Sequence, residues 1–230
     1  MSEVLINSAY FGVAVTVGAF LFGLWCKKKF KLAICNPLLI AVISVMILLI
    51  VLNVDYVTYN EGAHYISYLL TPSTICLAIP LYRQLKLLRR HAKAIVLGSI
   101  SGVIASMGGI LALSVVFHLS HEEYVTLLPK SITTAIGMGV SEELGGIVTI
   151  TVAVIIITGI LGNVIASSVC KIFHIEEPIA QGLAIGTAAH AIGTARALEI
   201  GEVEGAMSSL AIAVSGILTA CTASLFAMLW

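Results

Sequence analysis

Six stretches of this chain run for more than 20 residues without a single Asp, Glu, Lys or Arg: 4–26, 32–54, 62–82, 94–121, 144–170 and 205–230. This one feature constrains the fold more than any other. About 20 apolar residues in a helix cross the hydrocarbon core of a bilayer. Inside that core the backbone must satisfy its own hydrogen bonds, which leaves helices as the spanning element for runs of this kind. A seventh stretch, 178–195, is just at the spanning limit, and 131–141 is too short to span alone. The chain is therefore expected to be an all-α, polytopic helical membrane protein with about six to eight membrane segments. Composition agrees: 10% of the 230 residues are charged and the mean hydropathy is +1.08, against about 25% charged residues in a soluble domain.

The charges that remain give orientation. Of 12 Lys and Arg, nine fall in two clusters: Lys27, Lys28, Lys29 and Lys31, then Arg83, Lys86, Arg89, Arg90 and Lys93. Basic loops stay in the cytoplasm. The N-terminus is then expected outside, with four crossings returning the chain outside near His121. Contacts to anionic lipid would suit the same clusters. Glu3 stands where a signal peptide would be basic, and no cleavage site is evident. The first run is expected to be a retained helix in a multi-pass plasma-membrane protein.

Several classes of function find no support. The five cysteines stand singly in apolar context, so neither a disulfide framework nor a metal site is indicated. Net charge is zero and nothing suggests nucleic-acid binding. Phosphate-loop, zinc-protease and nucleophile-elbow motifs are absent, and no motif calls for a cofactor. The chain is not expected to be an enzyme.

After His121 the texture changes. Residues 125–146 and 178–205 are short, glycine-rich and polar, and they alternate with long clean runs at 147–170 and 205–229. Glycine- or proline-interrupted segments are the sequence pointer to a transporter site, and such backbone is tolerated at membrane depth only beside protein or a watery cavity. A weak echo links "LLTPSTICLAIP" (69–80) to "LLPKSITTAIGM" (127–138), each followed by a long helix with a small-residue patch. It leaves open whether such repeats are parallel or inverted. Small-xxx-small pairs at Gly98/Gly102, Gly182/Gly186 and Gly201/Gly205 suit close helix packing, inside the chain or against a second copy or partner.

Two constellations carry the polar chemistry. In the first, Pro129 breaks the chain, and Lys130, Ser131, Thr133 and Thr134 offer a cation and three hydroxyls beside a helix start, a setting that favours anions. In the second, Thr187, His190 and Thr194 fall at i, i+3 and i+7, one polar stripe on one face of a helix, with Arg196 three residues before Glu199. Together they suggest an anionic ligand, most simply a carboxylate. Ionisable groups at membrane depth are costly and usually face a pathway. His190 and Glu204 are the candidates for proton coupling. Glu142, Glu143, Glu199 and Glu202 fit the membrane boundary.

The motifs at these residues resemble the LrgB family, which includes CidB and YohK. They are "NPLL" (36–39), "PLYRQL" (80–85), "LPKSITT" (128–134), "SEELGG" (141–146), "GTAAHAIGTARA" (186–197) and "EGAMSSLA" (204–211). The match runs in order through most of the chain, as a single domain over 1–230, with four spans in 1–121 and the broken segments in 122–230. The resemblance implies one of two functions. One is antiholin-like restraint of murein hydrolases and autolysis with a small LrgA-type membrane partner, opposing holin-like CidA proteins. The other is transport of small carboxylates such as pyruvate or glycolate, as implied by the plastid glycolate/glycerate translocator, which fuses LrgA-like and LrgB-like halves. The chain departs from the family pattern at Ala135, where relatives often carry proline, and at Ala189, where they often carry serine.

Overall fold

A computed structural model describes residues 9–30, 36–69, 72, 75–76 and 78–230. Glu3, Lys31, Cys35 and much of the 69–80 echo lie outside them. Among the described residues every regular element is a helix. Four helices are long and apolar enough to cross a membrane, and a fifth apolar helix is shorter. The chain forms two compact units that divide after Cys76, inside the N-terminal group of apolar runs.

The first unit holds α1 (Ala9–Phe30), α2 (Pro37–Leu52) and α3 (Tyr56–Ser67). Asn36 caps α2: its side chain accepts from the amides of Leu38 and Leu39, and Pro37 at the first helical position needs no partner. Asp55 caps α3 by accepting from Thr58. Both α2 and α3 pack on α1, where Thr16 Oγ1 lies 2.7 Å from the Tyr59 hydroxyl. The run at 62–82 does not form one span. α3 ends at Ser67, and a separate short helix covers Ala78–Arg83. Pro72 and Pro80 lie in that run, and each removes a backbone donor.

The second unit contains α4 (Ala78–Arg83), α5 (Leu85–Arg90), α6 (Ala92–Phe117), α7 (His121–Leu127), α8 (Thr134–Glu143), α9 (Val148–Ile172), α10 (Pro178–Ile200) and α11 (Glu202–Ala227). α6 and α11 run the same way. Glu202 at the start of α11 lies 3.9 Å from Arg83, close before α6. At the far end Tyr124 Oη donates to Phe226 O at 2.8 Å, and Trp230 Nε1 donates to Leu119 O at 2.9 Å. One end of the unit is thus basic, near Arg83, and the other carries Glu122 and Glu123.

The two glycine-rich segments are both re-entrant hairpins. The first, α7–α8, leaves the acidic end and returns to it. Thr126 closes the base: its hydroxyl accepts from Ile147 N, and its carbonyl accepts from Thr151 Oγ1, each at 2.8 Å. Its turn reaches Ser106, halfway along α6. Ser141, in the last turn of α8, is back beside Thr151 at 2.7 Å. α9 then crosses to the basic end.

The second hairpin is α10, folded at His190, whose φ of 41° and ψ of −141° interrupt the helix. Gly193 lies against Ile185, a separation that a straight helix would stretch to about 12 Å. Both arms follow the same stretch of α9 down to the basic end. Asn163 Nδ2 donates to Ile192 O at 2.7 Å, Arg196 reaches Ser167, and Gln181 and Ile200 both border Cys170 and Lys171.

Residues 121–172 and 178–227 are therefore an inverted repeat, each a hairpin followed by a long helix entering from the same end. The contacts obey the symmetry. Ile192 of the second hairpin lies over Gly159 of α9, and Ile136 of the first lies over Gly216 of α11. The repeated unit differs from the one suggested by the 69–80 echo. Its sequence signal is "AIG" at 135–137 and again at 191–193, followed in each copy by Glu143 or Glu199 and Gly145 or Gly201. Apolar packing seats both hairpins. Tyr124, Val125, Leu128 and Ile132 are buried with Val103 and Met107 of α6 and Ala223 of α11. Ile179 and Leu183 are buried with Ile95 of α6 and Met207 of α11.

Candidate functional site

A cavity of about 970 Å3 lies between α6 and the first arm of α10. Its walls are small residues in helical register: Ala94, Gly98, Ser101, Gly102 and Ala105 on α6, and Ala180, Ala184, Thr187 and Ala188 on α10. His91 and Glu177 stand toward the basic end. Lys130 and Ser131, on the turn of the first hairpin, stand at the other, with Ser106 beside them.

The local chemistry follows from the turn. Pro129 is fully buried and donates no backbone hydrogen bond. Lys130 N bonds Leu127 O, and Ile132 N bonds Pro129 O, so the chain bends within one turn. Lys130 Nζ donates to Ser131 Oγ at 3.0 Å, and Ser106 Oγ donates to the same oxygen at 2.9 Å. Among the described residues no carboxylate lies within ion-pairing distance of Lys130. Thr187 donates its proton to Leu183 O at 2.8 Å, which leaves its oxygen as an acceptor on the wall. The arrangement offers a cation, the Ser131 hydroxyl proton and the Ser106 oxygen at the hairpin turn, and the Thr187 oxygen about one helical turn further along the groove.

Of the residues expected at the site, the cavity gathers Lys130, Ser131 and Thr187. Thr133 and Thr134 only start α8, half-buried, and Thr133 makes no side-chain cap bond. The expected stripe of Thr187, His190 and Thr194 does not exist, because the helix breaks at His190 and turns Thr194 onto the returning arm. His190 is buried, with Nε2 3.0 Å from Ile155 O. Thr194 Oγ1 donates to His190 O at 3.0 Å and lies 2.7 Å from Ser208 Oγ. These two residues hold the bend and do not line the cavity. Arg196 points to the opposite side of the hairpin. It donates to Ser167 Oγ through Nε and Nη2, and to Glu199 at 2.8 Å as its spacing predicts.

The other expectations divide in the same way. Glu204 lies in the first turn of α11 with its carboxylate against Gly201, a favourable place for an acid beside a helix start. Ala189, the position of a family serine, packs on Gly162 and Gly193, and Ala188 is the residue that lines the cavity. The small-residue pairs are used internally. Gly98 and Gly102 meet Leu183 and Thr187, and Gly182 meets Glu204 and Met207. Sequence reasoning missed Ser106, Ser101, His91 and Glu177. The signal for the α6 residues was present as a row of small or polar side chains at helical spacing from His91 to Ser106. It was read only as packing. No group of three metal-ligating side chains converges among the described residues.

The comparisons with known proteins point to one family. The profile of the LrgB-like family matches residues 16–229. The "Antiholin-like protein LrgB" of Bacillus subtilis (strain 168) is 35% identical over 223 residues, 96% of each chain. The "Holin-like protein CidB" of Staphylococcus epidermidis (strain RP62A) is 37% identical over 193 residues, 84% of each chain. The "Antiholin-like protein LrgB" of Bacillus cereus (strain B4264) is 36% identical over 222 residues, 94% of this chain and 95% of that one. No solved structure matches the chain at a significant level. A profile match along nearly the whole length, full-length relatives and helices of spanning length lead to one assignment: this chain is a membrane protein of the LrgB family.

Proposed function

We propose that the chain works in a holin/antiholin-type system as a carrier of small organic carboxylates of the pyruvate or glycolate kind, together with an LrgA-type membrane partner. The observation that carries this reading is the groove with Lys130 at its end, on the turn of a re-entrant hairpin. Opposed hairpins in an inverted repeat are the architecture in which carriers place a midplane site. A cation beside a hydroxyl donor suits a carboxylate. The basic end faces the cytoplasm, by the excess of Arg and Lys there, in the bacterial plasma membrane.

Reconstitution of the chain with its LrgA-type partner, followed by uptake of labelled pyruvate and glycolate, tests this. Lys130→Ala should lower uptake about 10-fold or more, the usual worth of a hydrogen bond to a charged group. Wild-type uptake by that variant would sink the site. Arg196→Ala should leave the KM unchanged, since its partners are Ser167 and Glu199.

The names of the relatives favour a second reading more directly. In it the chain restrains murein hydrolase activity and autolysis by contact with LrgA- or CidA-type proteins, and moves no solute. Gly98 and Gly182 are engaged internally, so the discriminating positions are Gly108 and Gly109 of α6, which meet no neighbour within 4 Å. If Gly108→Leu alters lysis while Lys130→Ala does not, and no carboxylate moves, regulation by contact is the function.

A further inference from the structure

We infer that Ser106 reads the group next to the ligand's carboxylate: it accepts a hydrogen bond from a 2-hydroxyl and repels a 2-oxo oxygen, so the groove selects 2-hydroxy acids over 2-oxo acids. The inference rests on the carboxylate-carrier reading and narrows its substrate class. A hydroxyl has one proton to give and two lone pairs to offer. Ser106 Oγ gives its proton to Ser131 Oγ at 2.9 Å, so its own lone pairs stay available on the groove wall. Ser131 Oγ accepts from Ser106 and from Lys130 Nζ at 3.0 Å, which leaves it a proton to donate. Among the described residues no acceptor takes that proton. Lys130 Nζ keeps two N–H groups after its bond to Ser131. The hairpin turn thus sets two donors, Lys130 and Ser131, beside one acceptor, Ser106.

The spacing fits one kind of ligand. Donors hold the carboxylate, and a 2-substituted acid carries its next oxygen on the adjacent carbon. Oxygens on adjacent carbons lie side by side at about the separation of two hydrogen-bonded oxygens. Ser131 Oγ and Ser106 Oγ are themselves 2.9 Å apart. A carboxylate oxygen on Ser131 therefore brings the 2-oxygen to Ser106. A 2-hydroxyl donates there, whereas a 2-oxo oxygen meets lone pairs with lone pairs. The rest of the wall has the same polarity. Thr187 Oγ1 has given its proton to Leu183 O at 2.8 Å, and Ser101 Oγ has given its proton to Gly98 O at 2.9 Å. Between these hydroxyls the lining is glycine and alanine, which bring no side-chain donor. His91 also lines the groove, but it stands about 22 Å from Ser106 by the rise of α6. A site that pairs with a ligand hydroxyl discriminates against the analogue that lacks it.

The test uses the full chain reconstituted with its LrgA-type partner in vesicles. Uptake of labelled glycolate is competed with unlabelled D-lactate, L-lactate and pyruvate, which share a carbon skeleton and differ at the 2-oxygen. Wild type should bind the better lactate enantiomer more tightly than pyruvate by about 5-fold or more, the worth of one hydrogen bond. Ser106→Ala should bring that ratio close to one, chiefly through weaker lactate competition. The lone pair it frees on Ser131 faces residue 106 and α6. Ser106→Thr, which keeps the hydroxyl, should retain the preference. A merely structural role would weaken both competitors together and leave the ratio of inhibition constants unmoved. Pyruvate competing as well as lactate in wild type, an unchanged ratio in Ser106→Ala, or an equal loss in Ser106→Thr overturns the assignment while carboxylate transport stands. Absence of glycolate and pyruvate uptake in wild type overturns the carrier reading and this inference with it.

Discussion

His190 shows how much one residue holds in this protein. Its backbone conformation is one that a residue with a side chain adopts only under constraint, at about 1–3 kcal/mol. Two hydrogen bonds offset that, from its ring to Ile155 O and from Thr194 Oγ1 to its carbonyl. His190→Ala keeps the strained backbone and loses the ring bond. It should lower the unfolding free energy in detergent by about 1–3 kcal/mol, read from thermal unfolding. His190→Gly relieves the backbone and should lose less. At the acidic end, the Ser120 amide and hydroxyl donate to Glu123 and hold its carboxyl below the usual carboxylate range. The folded-state pKa is depressed, so the cap's contribution is present above the unfolded value and lost as pH falls through the folded one. Protection factors of the amides at residues 120–124, which are corrected for the intrinsic pH dependence of exchange, should therefore fall on acidification. Glu123→Gln should remove that pH dependence; if the two proteins respond alike, the carboxylate is not the titrating group.

At the scale of elements, the hairpins are the decisive structures, and the sequence revealed them only in part. Long charge-free runs marked α6, α9 and α11 because burial in lipid demands apolar length. The broken character of 125–146 and 178–205 was legible from Pro129, the glycines and the hydroxyls. The place where α10 folds back was not, because no proline or glycine sits at the bend. Ala189-His190-Ala191 reads as plain helix, and tertiary bonds to Ile155 and Ser208 fix the turn. For the same reason Thr194 was assigned to the wrong face. Re-entrance has a direct check. With the native cysteines replaced, Ile185→Cys and Gly193→Cys should form a disulfide on mild oxidation. A continuous helix would hold those positions about 12 Å apart and give none.

For the second unit as a whole, the inverted repeat predicts sidedness. Cysteines introduced at Glu177 and Gly201 should react with an impermeant thiol reagent from the basic, cytoplasmic side. Cysteines at Glu122 and Leu229 should react from the opposite side. Labelling of Glu177 and Gly201 from opposite sides would mean that α10 crosses the membrane. The cavity is a groove open along its length, with Ala94, Ser101, Ala105, Ala180, Ala184 and Ala188 exposed, and the first hairpin's turn stands at one end of it. On the proposed carrier reading, exchange of the two repeats' conformations is the rearrangement that would give the site access to the acidic end.

The opposed hairpins also bear on how the chain is made. α10 emerges from the ribosome and reaches the membrane before α11 does. Yet Gly182 and Gly186 lie against Glu204, Met207 and Ser208, and Thr194 shares a hydrogen bond with Ser208. Until α11 is inserted, the second hairpin's hydroxyls and its bent backbone have no shelter from lipid. The hairpin must wait near the translocon or at the membrane surface, then enter together with the helix that follows it. A chain ending at residue 200, released without α11, should therefore leave its second hairpin open to protease from the cytoplasm.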